Sequence, residues 1–176
     1  MLTWILIGVI VAAITLYFIF RDSNSSVIHP IIQLHNLPGS IVTASSYQGS
    51  LSPEKGRMNI YDDYWQPAYD DTDDPWIQFT FPDRYEFSSI QIKYDYNYKL
   101  DTVDILFASD DEGQNWEEPI RIYAPNNSIV TLNHTFNPTM KSKIIRIKII
   151  SGTIMSSSNS TRRVPIKVGI YGRLVE

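Results

Sequence analysis

Five stretches of this chain alternate apolar and polar side chains, strictly or nearly, with a period of two: Ile77-Gln78-Phe79-Thr80-Phe81, Ile90-Gln91-Ile92-Lys93-Tyr94, Val103-Asp104-Ile105-Leu106-Phe107, Ile144-Ile145-Arg146-Ile147-Lys148-Ile149 and Ile166-Lys167-Val168-Gly169-Ile170. Successive side chains of a strand point to opposite faces, so this period in β-branched and aromatic residues marks strands with one buried face. The turn signals Pro82-Asp83, Asp111-Glu112-Gly113, Pro125-Asn126-Asn127 and Asn137-Pro138 separate them. From Gly39 onward no amphipathic helical run of any length occurs. Short strands punctuated in this way predict an all-β sandwich.

Ahead of this pattern, Leu2 to Phe20 carries no charged side chain, with Trp4 near one end and Tyr17 near the other. At a helical rise of ~1.5 Å per residue the run matches a hydrocarbon core, and the aromatics suit its two interfaces. Residues 1–20 therefore read as a transmembrane helix, making the chain a single-pass membrane protein. The other reading is a cleaved signal peptide ending near Val11-Ala12-Ala13. Against it, no Lys or Arg precedes the apolar run, which continues past Ala13 to Arg21-Asp22. The side of the membrane is left open, because Arg21 is offset at once by Asp22. Residues 21–38 read as a tether in which Ile31, Ile32 and Leu34 could form a short strand or pack on the domain, and residues 39–176 as one domain.

With no cysteine among 176 residues, nothing in the fold rests on disulfides. The formal net charge is −4, and the basic residues are scattered singly except for Arg162-Arg163. A nucleic-acid footprint needs clustered Lys and Arg on one face, so nucleic acid is excluded as a partner.

A further set of short signatures runs in order along the domain: Thr43-Ala44-Ser45-Ser46-Tyr47, Gly56-Arg57-Met58-Asn59, Tyr64-Trp65-Gln66-Pro67, Pro75-Trp76-Ile77-Gln78-Phe79, Ser109 to Trp116, Phe136-Asn137-Pro138, Arg146-Ile147-Lys148-Ile149 and Gly169-Ile170-Tyr171-Gly172. In this order and spacing the set resembles the discoidin family, also called the coagulation factor V/VIII C-type domain. The resemblance implies a jelly-roll β-sandwich of about eight main strands that binds and does not catalyse. It also implies that Trp76, Trp116, Arg146 and Tyr171 are architectural, and for the two tryptophans core packing is expected over ligand contact.

Carbohydrate-binding members often hold a structural calcium at an Asp-Gly-Asn turn and at an acidic residue before the closing aromatic-Gly pair. Here those positions read Arg57-Met58-Asn59 and Gly169. No metal and no cofactor is expected. The acidic run Asp70-Asp71-Thr72-Asp73-Asp74 also lacks the spacing of a dedicated calcium loop and reads as a solvated loop.

Family members bind through loops at one end of the sandwich. Carried onto this chain, those loops are Tyr47 to Glu54, Ile60 to Tyr64 and Tyr94 to Lys99, which supply Tyr47, Gln48, Tyr61, Asp62, Asp63, Tyr64, Asp95, Tyr96, Asn97 and Tyr98. Tyrosine with carboxylates and amides suits a glycan or a protein surface, where rings stack and polar groups hydrogen-bond; the same residue types also populate ordinary turns. Like charge argues against insertion into anionic lipid. No nucleophile lies in a catalytic motif, and His29, His35 and His134 fall in the tether or in a glycosylation triplet, so no enzyme is expected. Two functions fit: a membrane-anchored module binding a glycan or protein through its tip loops, and a structural protein joining a membrane to a coat or capsid shell.

Overall fold

The computed structural model describes residues 29–71, 74–124, 130–157 and 159–175. The transmembrane segment expected over residues 1–20 and the first part of the tether lie outside the described residues, among which no helix is long and apolar enough to cross a membrane.

The described residues form eight strands: β1 (Ile32–Gln33), β2 (Ile41–Ala44), β3 (Trp76–Tyr94), β4 (Tyr98–Phe107), β5 (Ile120–Tyr123), β6 (Thr131–Ile154), β7 (Asn159–Thr161) and β8 (Ile166–Leu174). Short 3-10 turns at Leu34–Asn36 and Pro53–Gly56 are the helical elements described. The five alternating stretches fall within β3, β4, β6 and β8, because each has an apolar face to bury.

β3 and β6 pair antiparallel along most of their lengths, from Trp76↔Lys148 to Lys93↔Thr131, with register breaks between Thr80 and Tyr85 and between Phe87 and Ser89. The first break is the corner of the sandwich. Before it, β3 pairs with β2 and the second half of β6, which continues to β4 and β5. After it, β3 lies between β8 and the first half of β6, with β1 on the far edge of β8. One hydrogen-bonded ladder is thus folded over into two layers. Here the turn reading of Pro82-Asp83 and Asn137-Pro138 is corrected, since neither pair ends a strand. Both lie inside the long strands β3 and β6, at or beside the register breaks, where backbone irregularity lets a strand bend without stopping.

The inner faces close on aromatic rings. Phe87 of one layer meets Phe107 of the other at 5.2 Å between centroids, Phe107 meets Phe136 at 5.2 Å, and Phe81 meets Phe87 at 5.7 Å. Ile77, Ile92, Ile105, Ile147 and Val168 are fully buried around them.

The tryptophans depart from expectation. Trp65 is the buried one, 0% exposed, with its indole N–H donated to Ser46 O at 2.9 Å. Trp76 and Trp116 are half-buried and enclose the guanidinium of Arg146, whose Cζ lies 4.3 and 4.2 Å from the two ring centroids while Nε and Nη2 donate to Gln78 Oε1. The reason is parity. Ile77, Phe79 and Phe81 face inward, so Trp76 shares the outer face with Gln78 and Thr80.

The second half of the tether segment packs on the domain. Ile32 and Gln33 pair with Gly172 and Tyr171, Leu34 is fully buried in the core, and buried His35 accepts the Ile170 N–H on Nδ1 at 2.9 Å. Burial pushes the His35 imidazole below its ordinary value; the Ile170 backbone opposes this and the Arg57 charge adds to it. Because the folded state holds the neutral ring, the stability it contributes is complete above pH ~6.5 and is lost as pH falls through the lower folded value. The urea midpoint is expected to drop between about pH 7.5 and pH 5.5, more steeply in the native sequence than in His35→Gln. His134, also shifted down by burial, is controlled with His134→Gln.

Candidate functional site

β3 ends, β4 begins and β8 begins at one end of the sandwich, and the loops carrying the predicted residues gather there. Asp95 N–H donates to Pro165 O at 3.2 Å, Trp65 and Ile166 exchange backbone hydrogen bonds at 3.1 and 2.9 Å, and Gln48 N–H donates to Gln66 O at 3.0 Å. Ser45 and Ser46 staple this end, both hydroxyls donating to Asp71 Oδ2 at 2.5 Å, while Asp74 takes Arg162 at 3.0 Å and Lys148 at 3.4 Å. Asp71 and Asp74 thus tie the acidic run to the domain while both stay partly exposed. Among the described residues no group of His, Asp and Glu is arranged to hold a metal ion.

Two clusters form. The first unites Gln48 and Tyr98 with residues not read from the sequence: Gln66, Tyr69 and Arg163. Arg163 Nη2 donates to Gln48 Oε1 at 2.6 Å, and its Cζ lies 3.4 Å from the Tyr69 ring centroid. Gln66 Nε2 donates to Arg163 O at 3.3 Å and Tyr98 Oη at 3.4 Å. Tyr69 remains 73% exposed, so its ring is backed by the guanidinium on one side and open on the other.

The second cluster holds Tyr61, Asp62, Asp63 and Tyr64 over the edge of β8. Lys167, only 8% exposed, donates its ammonium to Tyr61 O and, at 2.8 Å, to Asp62 O, and lies 4.9 Å from the Tyr64 ring centroid. Burial lowers the Lys167 pKa, with Asp62 opposing. Lys55 pairs with Asp63 at 3.1 Å and sits 4.7 Å from the Tyr61 ring centroid. Burial raises the Tyr64 pKa, and the Asp95 charge raises it further. Beside this loop a recess of about 390 Å³ is lined by Asn59, Tyr61, Gln91, Lys93 and Lys167.

Of the remaining predicted residues, Asp95 and Asn97 spend their polar groups on the β3–β4 turn: Asp95 Oδ1 accepts the Asn97 N–H and Nδ2, and Asn97 O accepts the Met155 N–H. Tyr47 and Tyr96 point outward, 52% and 77% exposed.

The three residues that sequence reading passed over had separate signals. Gln66 sits in the Tyr64-to-Pro67 signature, Arg163 in the chain's paired basic residues, and Tyr69 beside the acidic run. What unites them is a contact between positions 48, 66 and 163, which no local pattern encodes.

A model of the F5/8 type C domain matches residues 41–163. The chain belongs to the F5/8 type C domain family. Solved structures agree on this fold. Discoidin II from Dictyostelium discoideum is 14% identical with a TM-score of 0.65, the match covering 86% of this chain and 61% of that one. The family 32 CBM of NanJ from C. perfringens, solved with galactose, is 13% identical with a TM-score of 0.62, covering 81% and 99%. A family 89 glycoside hydrolase from Clostridium perfringens is 21% identical with a TM-score of 0.57, covering 82% of this chain but 15% of the enzyme. This F5/8 type C domain thus spans 61% of discoidin II and a small part of the hydrolase. No curated protein matches its sequence.

Membership raises the structural calcium that the resemblance implies for many carbohydrate-binding members. The residues here do not fit it. Arg57, 6% exposed, fills the position with its own cation: Nε donates to Glu54 Oε2 at 2.5 Å, Nη1 to His35 O and to Ser40 Oγ at 2.8 Å, and Nη2 to Ser40 O at 2.8 Å. At the neighbouring Gly169 a Cβ would already come within 3.1 Å of Met58 Sδ, leaving little room for an acidic side chain.

Proposed function

We propose that this F5/8 type C domain is a non-catalytic module that takes a glycan at the loop end of the sandwich. The observation that carries this reading is Tyr69, an exposed ring backed by the Arg163 guanidinium, which is itself held by Gln48 and, through its backbone carbonyl, by Gln66. A ring backed before binding loses little entropy when a sugar face stacks on it, and the Gln48 and Gln66 amides that hold Arg163 bring donor and acceptor chemistry for hydroxyls to the same cluster. The galactose held by the NanJ relative supports the ligand class. Tyr47, Tyr61, Asp62, Asp63, Tyr64, Asp95, Tyr96 and Asn97 then form the rim around Gln48 and Tyr98.

The uncharged run Leu2 to Phe20 supports retention at a membrane. Geometry favours display from such an anchor. The chain enters the domain where Ile32 pairs with Gly172, whereas the loop end lies near Ile166, ~20 Å further along β8. A tether at the amino terminus leaves the binding end facing away. The protein is expected to stay in the membrane pellet through carbonate and high-salt washes, and recovery in the supernatant would refute the anchor.

The binding test is a glycan array followed by titration of the best ligand. Tyr69→Ala and Gln48→Ala are each expected to weaken it by about 1–3 kcal/mol with little change in the unfolding midpoint. If no glycan binds, or if Tyr69→Ala binds as tightly as the native sequence, the reading fails.

A further inference from the structure

We infer that Arg57 replaces a bound metal ion as the cation that locks the amino-terminal segment onto the sandwich, so that this domain folds and holds its shape without calcium. A calcium site collects six to eight hard oxygens, typically carboxylates and backbone carbonyls. The oxygens around Arg57 are of that kind: the His35 and Ser40 carbonyls, the Ser40 hydroxyl and the Glu54 carboxylate. Here they face a guanidinium, and its fixed planar fork matches several acceptors at once.

The acceptors come from two separate pieces of chain. His35 lies in the 3-10 turn that follows β1 and Ser40 just before β2, whereas Glu54 belongs to the 3-10 turn preceding Arg57. Arg57 is itself fixed by its bridge to Val168, and the next residue donates its N–H to Val168 O at 3.1 Å. The guanidinium therefore ties segment 34–40 to β8, as a shared ion would. An ion and a buried guanidinium cannot occupy one place, because their charges repel and the oxygens are already taken.

The test uses the full chain in non-ionic detergent, with thermal unfolding followed in excess EDTA and in ~5 mM calcium, well above the weakest extracellular-type sites. The native sequence is expected to give the same midpoint in both. Arg57→Asp returns a carboxylate to the oxygen set; it should unfold at a lower temperature in EDTA and regain ~5 °C or more in calcium, as a site of ~0.1 mM affinity requires. Arg57→Lys keeps a cation and should remain insensitive to calcium. A native protein that calcium stabilises overturns the inference. So does an Arg57→Lys chain that responds to calcium, or an Arg57→Asp chain that calcium leaves unchanged, whether that chain is folded or not.

Discussion

A domain begun at Gly39 is expected to lose about 3 kcal/mol or more of stability relative to one begun at His29, read as a fall in the urea midpoint. The shorter chain lacks Leu34, fully buried in the core, and the β1 pairing with β8. It also lacks the imidazole that accepts the Ile170 N–H and the His35 carbonyl that accepts from Arg57. Removing a buried leucine alone costs about 2–5 kcal/mol, and an orphaned buried donor adds to that. Equal midpoints for the two chains would mean that the segment merely lies on the surface.

Trp65→Ala is the second large effect, expected at about 3–5 kcal/mol. The ring is fully enclosed at the loop end, and its loss also strips Ser46 O of a donor within the network that holds Asp71 there. Trp76→Ala and Trp116→Ala should cost far less, roughly 0.5–2 kcal/mol, because each removes one half-exposed wall of the Arg146 stack. The ranking is checked by urea unfolding of the three variants side by side. If Trp76→Ala matched Trp65→Ala, the outer stack would be carrying the fold.

Much of this architecture is legible in the sequence because strand burial has a period of two and the apolar parity survives even where strands bend. The same parity settles Trp76: its neighbours at every second position are Gln78 and Thr80, so it had to face outward with them. Corners are harder to read. Pro82-Asp83 has the chemistry of a hairpin turn, and only the pairing of residues on both sides of it with β6 makes it a bend in one strand. For the loops, the family resemblance named segments that do meet at one end. Local composition gave no access to the Tyr69, Gln66 and Arg163 contacts, which join residues about a hundred positions apart. The tether boundary was blurred for a related reason: the short apolar run that ends at Leu34 fits a strand or a packed segment equally well until β8 is placed beside it.

The entry of the chain beside Gly172, at the opposite end from the loops, fixes how this domain bears force. In the function proposed above, a pull between a glycan at the loops and an anchor ahead of the domain would run along β8 and β2, parallel to the strands and not across them. Hydrogen bonds loaded in that direction share tension and must yield together. β1 offers two residue pairs to such a load, so the hold of Arg57 on the His35 and Ser40 oxygens, and of His35 on Ile170, would resist the peeling of segment 34–40 from the sandwich.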